Sequence, residues 1–174
     1  VKIEAGGVCH SDLSVVNGNR ARPVPIVLGH EGAGVVQEVG KHVKDLAPGD
    51  HVAFIFMPNC GECIQCRSGR PSNCEQGNAA NAAGRLLSGK RHLSINGTEL
   101  NHYAGVSCFA EYAVSDHRSL VKLPKEIPLE VAAVFSCAVI TGVGAVVNTA
   151  KVPLGASVGV VGLGAVGFSA MLGA

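Results

Sequence analysis

The stretch Cys60-Gly61-Glu62-Cys63-Ile64-Gln65-Cys66, followed by Cys74, is the most specific feature of this sequence. Two residues separate each of the first three cysteines and seven precede the fourth, a spacing typical of a loop that folds around one metal ion. Four thiolates close a tetrahedral site and leave no open position, which indicates a structural zinc. Spacing alone also allows a four-cysteine iron–sulfur site or four free thiols. The loop therefore predicts a lobe built around a metal.

Short strands broken by turns surround this loop. The strand-type runs are Val1–Ala5, Gly32–Val39, His51–Phe56 and Phe109–Val114. Their apolar, β-branched composition and the turn residues between them predict a small β-rich barrel. The segment 78–107 is rich in Gly, Asn and Ser with weak periodicity, and predicts an irregular lobe.

The pattern changes to helices after Lys122. Pro128 and Glu130 mark a helix start before the apolar run Leu129–Phe135, and a further helix is predicted over Gly142–Ala150. We place a domain boundary near Val139, which divides the chain into residues 1–138 and 139–174.

A glycine-rich turn follows at the end of the chain. The apolar run Ala156–Val161 predicts a buried strand, and Gly162, Gly164 and Gly167 then open an apolar helix. This order is the context in which G-x-G-x-x-G predicts dinucleotide binding, with the pyrophosphate at the helix N-terminus. The acidic residue that would separate NAD from NADP is expected about 20 positions further on, beyond Ala174.

Bulk composition excludes some function classes. The net charge is +1 and the basic residues are spread along the chain, which argues against a nucleic-acid partner. No apolar run approaches the roughly 18–20 residues of a membrane span, so no membrane association is expected. The seven cysteines are odd in number and four are clustered, which favours thiolates on metal in a reducing, cytoplasmic setting.

A second set of metal-ligand residues is scattered along the chain. It comprises Cys9 beside His10-Ser11-Asp12, then His30 beside Glu31, and finally Cys137. Taken singly, each has an ordinary explanation, such as a buried small hydrophobe for Cys137. Together they supply Cys, His and Cys, a set that leaves the fourth position of a zinc ion open.

These motifs, in this order and at this spacing, resemble the zinc-containing medium-chain alcohol dehydrogenases over essentially all 174 residues. The matching stretches are Gly7–Asp12, Gly29–Gly34, Pro48–Val52, the four-cysteine loop and Gly162–Gly167. The resemblance implies a β-rich, α+β GroES-like catalytic domain over residues 1–138. It also implies the first βα turn of a Rossmann-type domain over residues 139–174.

The resemblance also implies a role for each metal-site residue. Cys9, His30 and Cys137 would hold a catalytic zinc, with Glu31 as a close acidic neighbour that can approach the metal. Asp12 would hydrogen-bond the far nitrogen of His30 and fix its tautomer. A structural zinc would be held by the four-cysteine set Cys60, Cys63, Cys66 and Cys74.

Other roles implied by the resemblance concern substrate and cofactor. The Ser11 hydroxyl would contact the alcohol, Phe56 would line the substrate pocket, and His10 would lie near the cofactor pyrophosphate with the three glycines. Well-known members carry a histidine where this chain has Ser14, so the proton relay is expected to differ here.

The expected activity is reversible oxidation of a primary or secondary alcohol to an aldehyde or ketone, with NAD or NADP and two zinc ions. A homodimer or homotetramer is expected for the full-length protein. The 174 residues alone should be inactive, since nearly all of the cofactor fold lies outside them. Two alternatives remain: a zinc-stabilised binding module without catalysis, which leaves the scattered set and the glycine turn unexplained, and a zinc-free reductase of the same superfamily.

Overall fold

Seven strands form two sheets in the computed structural model, which describes all 174 residues. The larger, antiparallel sheet has the order β1-β3-β4-β7, and the smaller has the order β2-β6-β5 with β2 and β6 parallel. The strands are β1 Lys2–Gly7, β2 Ile26–Val27, β3 Glu31–Val35, β4 His51–Phe54, β5 Leu93–Ile95, β6 Thr98–His102 and β7 Leu120–Leu123. The register pairs Gly7 with Glu31 and Ala33 with Ala53.

The helices lie between and after these strands. Three short ones are α1 His10–Val16, α2 Ile64–Arg67 and α3 Glu75–Ala82, with 3-10 turns at Pro71–Asn73 and His117–Ser119. A long helix runs over Leu129–Ala150 and widens into π-helical turns at Phe135–Val139 and Ala145–Ala150. The C-terminal helix spans Ala165–Gly173.

Strand β3 is the centre of the fold because its small residues let other elements approach closely. Ala33 is fully buried against Leu129, Ala132 and Ala133, so the first turns of the long helix pack on the sheet. One turn further on, the Ser136 hydroxyl donates to the Gly32 carbonyl at 3.1 Å. These contacts fix the position of the long helix along β3.

The long helix corrects two expectations. It joins the two predicted helices into one of 22 residues, and its mean hydropathy of 2.0 makes it long and apolar enough to cross a membrane by length and composition. The expectation that no apolar run approaches the length of a membrane span was therefore wrong. A core helix has the same properties, and this one packs on β1, β3 and the C-terminal helix. Gly142 makes the last contact possible, since a Cβ there would lie 2.4 Å from the Val166 carbonyl oxygen.

Three local predictions were also wrong. Ala156–Val161 is not a strand, because no neighbouring strand in the chain supplies a hydrogen-bonding ladder. Phe109–Val114 forms only the single bridge between Lys2 and Tyr112. The segment 78–107 is more regular than expected, since it contains most of α3 and both β5 and β6.

Candidate metal centres and the adjoining cavity

The four-cysteine loop brings its four thiols together. All four sulfurs lie within 4.8 Å of one another, with 3.6 Å between Cys63 and Cys66 and 4.0 Å between Cys60 and Cys66. Ligands at about 2.3 Å from a tetrahedral zinc stand roughly 3.8 Å apart. A disulfide would need about 2.05 Å. The spacing therefore fits a metal ion at the centre and excludes a bonded pair.

Backbone amides in the same loop favour the thiolate form of Cys60. The N–H groups of Glu62 and Cys63 donate to Cys60 Sγ at 3.4 and 3.3 Å and lower the pKa of that thiol. Cys74 Sγ accepts from Gly77 N at 3.2 Å and from Cys60 N at 3.3 Å. Because a metal binds the thiolate, these bonds prepare the loop for its ion. The donor set is that of a four-cysteine structural zinc site.

The scattered residues also converge. The ligand atoms of Cys9, His30, Glu31 and Cys137 all lie within 4.8 Å of one another, and we call this group the dispersed cluster. Cys9 is the N-cap of α1, and Cys137 lies in the first π-helical turn of the long helix. His30 directly precedes β3, and Glu31 is the first residue of that strand. The Ser136–Gly32 bond explains how Cys137 reaches the strand from so far along the chain.

Asp12 ties two of these segments together. Its carboxylate accepts from the amides of Cys9 at 3.2 Å and Gly29 at 3.0 Å, and it lies 3.2 Å from His30 Nδ1. Burial raises the pKa of Asp12, but the bonds from His30 and the two amides outweigh it and lower the pKa below its ordinary value. The ionised carboxylate holds Nδ1 as the protonated nitrogen and leaves Nε2 free as an acceptor.

The charge balance of the dispersed cluster fits a cation. Burial, with the negative charges of Cys9 and Glu31 close by, raises the pKa of Cys137 to about 12. Glu31 is only 5% exposed and has no cationic partner. A divalent ion would satisfy all of these groups at once, since thiolate, imidazole and carboxylate are its common ligands.

A cavity of about 570 Å³ lies against the dispersed cluster. Ser11 and Phe56 line it together with Cys9, His30 and Cys137, so the structure brings both predicted substrate residues to the metal ligands. The His30 ring meets the Phe56 ring edge-on at 5.6 Å. The cavity lining therefore combines apolar surface with the candidate metal ligands and a hydroxyl.

Two predicted residues lie outside this cavity. His10 is exposed at the first turn of α1 and does not line the cavity. Ser14, one turn later, donates its hydroxyl to the His10 carbonyl at 2.9 Å. Ser14 thus has a partner on its own helix and does not contact the dispersed cluster.

The glycine-rich turn has the geometry that its motif requires. Gly162 has φ +106°, a conformation that favours glycine, and Gly164 is the N-cap of the C-terminal helix. A Cβ on Gly167 would lie 2.0 Å from the Gly162 carbonyl oxygen, so a third glycine is needed for the helix to fold back on the turn. Val166, between these glycines, lines the cavity beside the dispersed cluster.

Sequence reasoning missed several residues here. Tyr103 meets the His30 ring edge-on at 5.6 Å and donates to the Ser11 carbonyl at 3.3 Å. Arg20 and Arg22 line the cavity, and Ser136 anchors the helix that carries Cys137. None lies in a motif, and the only available signal was the position of the two arginines between Cys9 and His30.

Fold and site together define a metal-binding domain that leads into a nucleotide-binding type of turn. Comparison with known families agrees, since residues 1–125 match the alcohol dehydrogenase GroES-like domain. The predicted GroES-like α+β fold is thereby confirmed. Solved structures agree as well: a zinc-binding-domain alcohol dehydrogenase from Burkholderia ambifaria matches 99% of this chain with TM-score 0.91 and 41% identity. Benzyl alcohol dehydrogenase from Acinetobacter calcoaceticus matches 99% with TM-score 0.89 and 37% identity.

Two curated relatives complete the comparison. The chain is 43% identical to alcohol dehydrogenase class-3 of Drosophila melanogaster over 99% of its length. It is 45% identical to S-(hydroxymethyl)glutathione dehydrogenase of Escherichia coli over its full length. It spans 46% and 47% of these two relatives, and the same shares of the Acinetobacter and Burkholderia structures. The chain belongs to the zinc-containing medium-chain alcohol dehydrogenase family.

Proposed function

We propose that the full-length protein is a zinc-dependent dehydrogenase that reversibly oxidises a primary or secondary alcohol to an aldehyde or ketone with a nicotinamide cofactor. The observation that carries this proposal is the convergence of Cys9, His30 and Cys137 beside a cavity. Three protein ligands leave a fourth zinc position open, as catalytic zinc sites require. The four-cysteine set, by contrast, leaves no zinc position open and is of the structural type.

Zinc, when bound by these ligands, would supply a Lewis acid that lowers the pKa of an alcohol hydroxyl. Ser11 is the chain's own candidate for accepting that proton, because it lines the cavity and a hydroxyl both accepts and donates. Asp12 keeps His30 in the tautomer that offers Nε2 to the metal. Glu31 would be the acidic neighbour behind the ligands.

A bound nicotinamide cofactor would supply the hydride acceptor. Gly162, Gly164 and Gly167 are the residues we assign to its pyrophosphate, because they form the turn that leads into the C-terminal helix. The first amides of a helix have no partner within the helix and can bind an anion. His10 is exposed at the start of α1 and is proposed as a second contact for the phosphates. The same turn would bring the cofactor to the cavity, since Val166 lines it.

The test is cofactor reduction by the full-length protein, measured by absorbance with a panel of primary and secondary alcohols and with NAD and NADP in turn. The parent and a Cys108→Ala control should both form reduced cofactor, because the buried Cys108 belongs to neither cluster. His30→Ala should form none. A folded parent that reduces neither cofactor with any alcohol would contradict the proposal and favour a non-catalytic zinc module.

A further inference from the structure

We propose that the cavity beside the dispersed cluster takes an alcohol or aldehyde that carries an oxyanion, and that Arg20 and Arg22 bind this group. The inference rests on the proposed function and narrows its substrate class. It would make the two arginines specificity residues, distinct from the metal ligands and from Ser11.

The first observation is position. Arg20 and Arg22 both line the cavity that contains Cys9, His30 and Cys137. Arg20 Nη1 lies 3.5 Å from the Tyr103 hydroxyl, and the Tyr103 ring is in edge contact with His30. Only the Tyr103 ring therefore lies between the Arg20 guanidinium and the His30 ring, so a small substrate in the cavity can contact both.

The second observation is unbalanced charge. Neither Arg20 nor Arg22 has a carboxylate partner. Three other arginines also have none, but they lie outside this cavity: Arg67, Arg70 and Arg85. No aspartate or glutamate is among the 14 residues that line the cavity. An oxyanion in the cavity would supply the anionic partner that both guanidinium groups lack.

The third observation is unused hydrogen-bonding capacity. Arg22 donates from Nη1 to the Ala21 carbonyl at 3.1 Å, while its Nε is buried with no acceptor. Arg20 has only the long contact to Tyr103. A guanidinium presents five N–H donors in a planar fork that matches carboxylate and phosphate oxygens, and an unmet buried donor favours such a ligand.

The other residues that line the cavity indicate what the uncharged part of the substrate is. Phe56, Met57, Ala104 and Val166 provide apolar surface. Asn81 uses Oδ1 to accept from the Ala104 amide at 2.9 Å, which leaves its NH₂ as a further donor. The lining fits a hydroxymethyl or formyl group joined through an aromatic or alkyl spacer to a carboxylate or phosphate.

The experiment compares 4-(hydroxymethyl)benzoate with its methyl ester, which differ in one charge. In the full-length protein, kcat/KM for the acid should exceed that for the ester by about 10–100-fold, the range expected for hydrogen bonds to a charged group. Arg20→Gln/Arg22→Gln should bring this ratio close to one through a higher KM for the acid. The KM of the cofactor should stay unchanged, and kcat/KM for uncharged benzyl alcohol should fall far less than kcat/KM for the acid.

A matched control removes two other positive charges. Lys41→Gln/Lys44→Gln changes the net charge equally at two exposed lysines outside the cavity and should keep the acid preference.

A second substrate, 4-(hydroxymethyl)phenyl phosphate, tests whether the oxyanion is a phosphate. A preference for the phosphate that the arginine variant loses supports the proposal with phosphate as the oxyanion.

Direct binding of the acid and the ester by calorimetry separates this inference from the proposed function. If no alcohol is oxidised but the parent binds the acid more tightly and the arginine variant does not, the proposed function fails and the oxyanion site stands. Equal binding of acid and ester by the parent would overturn the site. So would a preference that survives in the arginine variant, or a variant that loses only cofactor affinity.

Discussion

The two metal-ligand clusters are built in opposite ways. The four-cysteine loop takes its ligands from fifteen consecutive positions, 60 to 74, and stabilises the Cys60 thiolate with amides of the same loop. The dispersed cluster takes its ligands from α1, β3 and the long helix, and forms only when those elements pack. The first site can therefore serve folding, while the second is placed by the fold and open to a cavity. This contrast predicts different consequences for equivalent substitutions.

The largest effect is expected for Cys137→Ala in the full-length protein. Loss of a ligand from the open site should lower turnover by more than about 10⁴-fold, since a Lewis-acid metal contributes several kcal/mol. The melting temperature should change little because Ser136 still anchors the helix. Single-turnover kinetics and thermal melts measure both quantities. A variant that melts early and keeps its turnover would reverse the assigned roles of the two clusters.

Ser11→Ala should lower the rate of hydride transfer by about 10²–10⁴-fold, the usual contribution of a positioned proton transfer. Ser14→Ala is the matched control on the same helix and should be mild, since Ser14 already donates to the His10 carbonyl. The two are compared by single-turnover oxidation across pH. Equal losses in both variants would make Ser14 an essential member of the relay.

Asp12→Asn should weaken zinc at the dispersed cluster by roughly 10–100-fold and leave the four-cysteine site loaded. The reason is that the variant removes the charge that fixes the His30 tautomer. Asp50→Asn is the control, because this carboxylate pairs with Lys122 away from both clusters. Titration with a competing chelator gives the affinities. Parallel losses in the two variants would show that Asp12 acts on general stability alone.

Cys60→Ala should have the smallest effect on turnover. A closed site makes no contact with substrate, so each folded molecule should keep its activity to within about threefold. The melting temperature should fall by more than about 5 °C, because a structural zinc contributes folding free energy. Activity is normalised to the folded fraction at low temperature. A loss as large as that of Cys137→Ala would erase the distinction between the clusters.

What could be predicted from the sequence follows the same contrast. The four-cysteine site and the Gly162–Gly167 turn depend on local spacing, and both have the expected geometry. Strand β4 and the start of the long helix at Leu129 also follow from local pattern. Each of these features is determined by residues close together in the chain.

Features that depend on distant partners were not predictable in this way. Ala156–Val161 has the composition of a strand but no neighbour to pair with. The ligands of the dispersed cluster were grouped through the family resemblance, since no residue pattern near Cys137 predicts that it lies close to His30. Tyr103 and the two cavity arginines were missed because their roles depend on the tertiary contacts that place them beside His30.

The most direct test of the two-cluster account is zinc content per chain, measured by atomic emission on four full-length proteins freed of loosely bound metal. The account predicts two ions for the parent and for Cys108→Ala, and one each for Cys60→Ala and Cys137→Ala. Two ions retained by Cys137→Ala, or a single ion in the parent, would contradict a metal at the dispersed cluster.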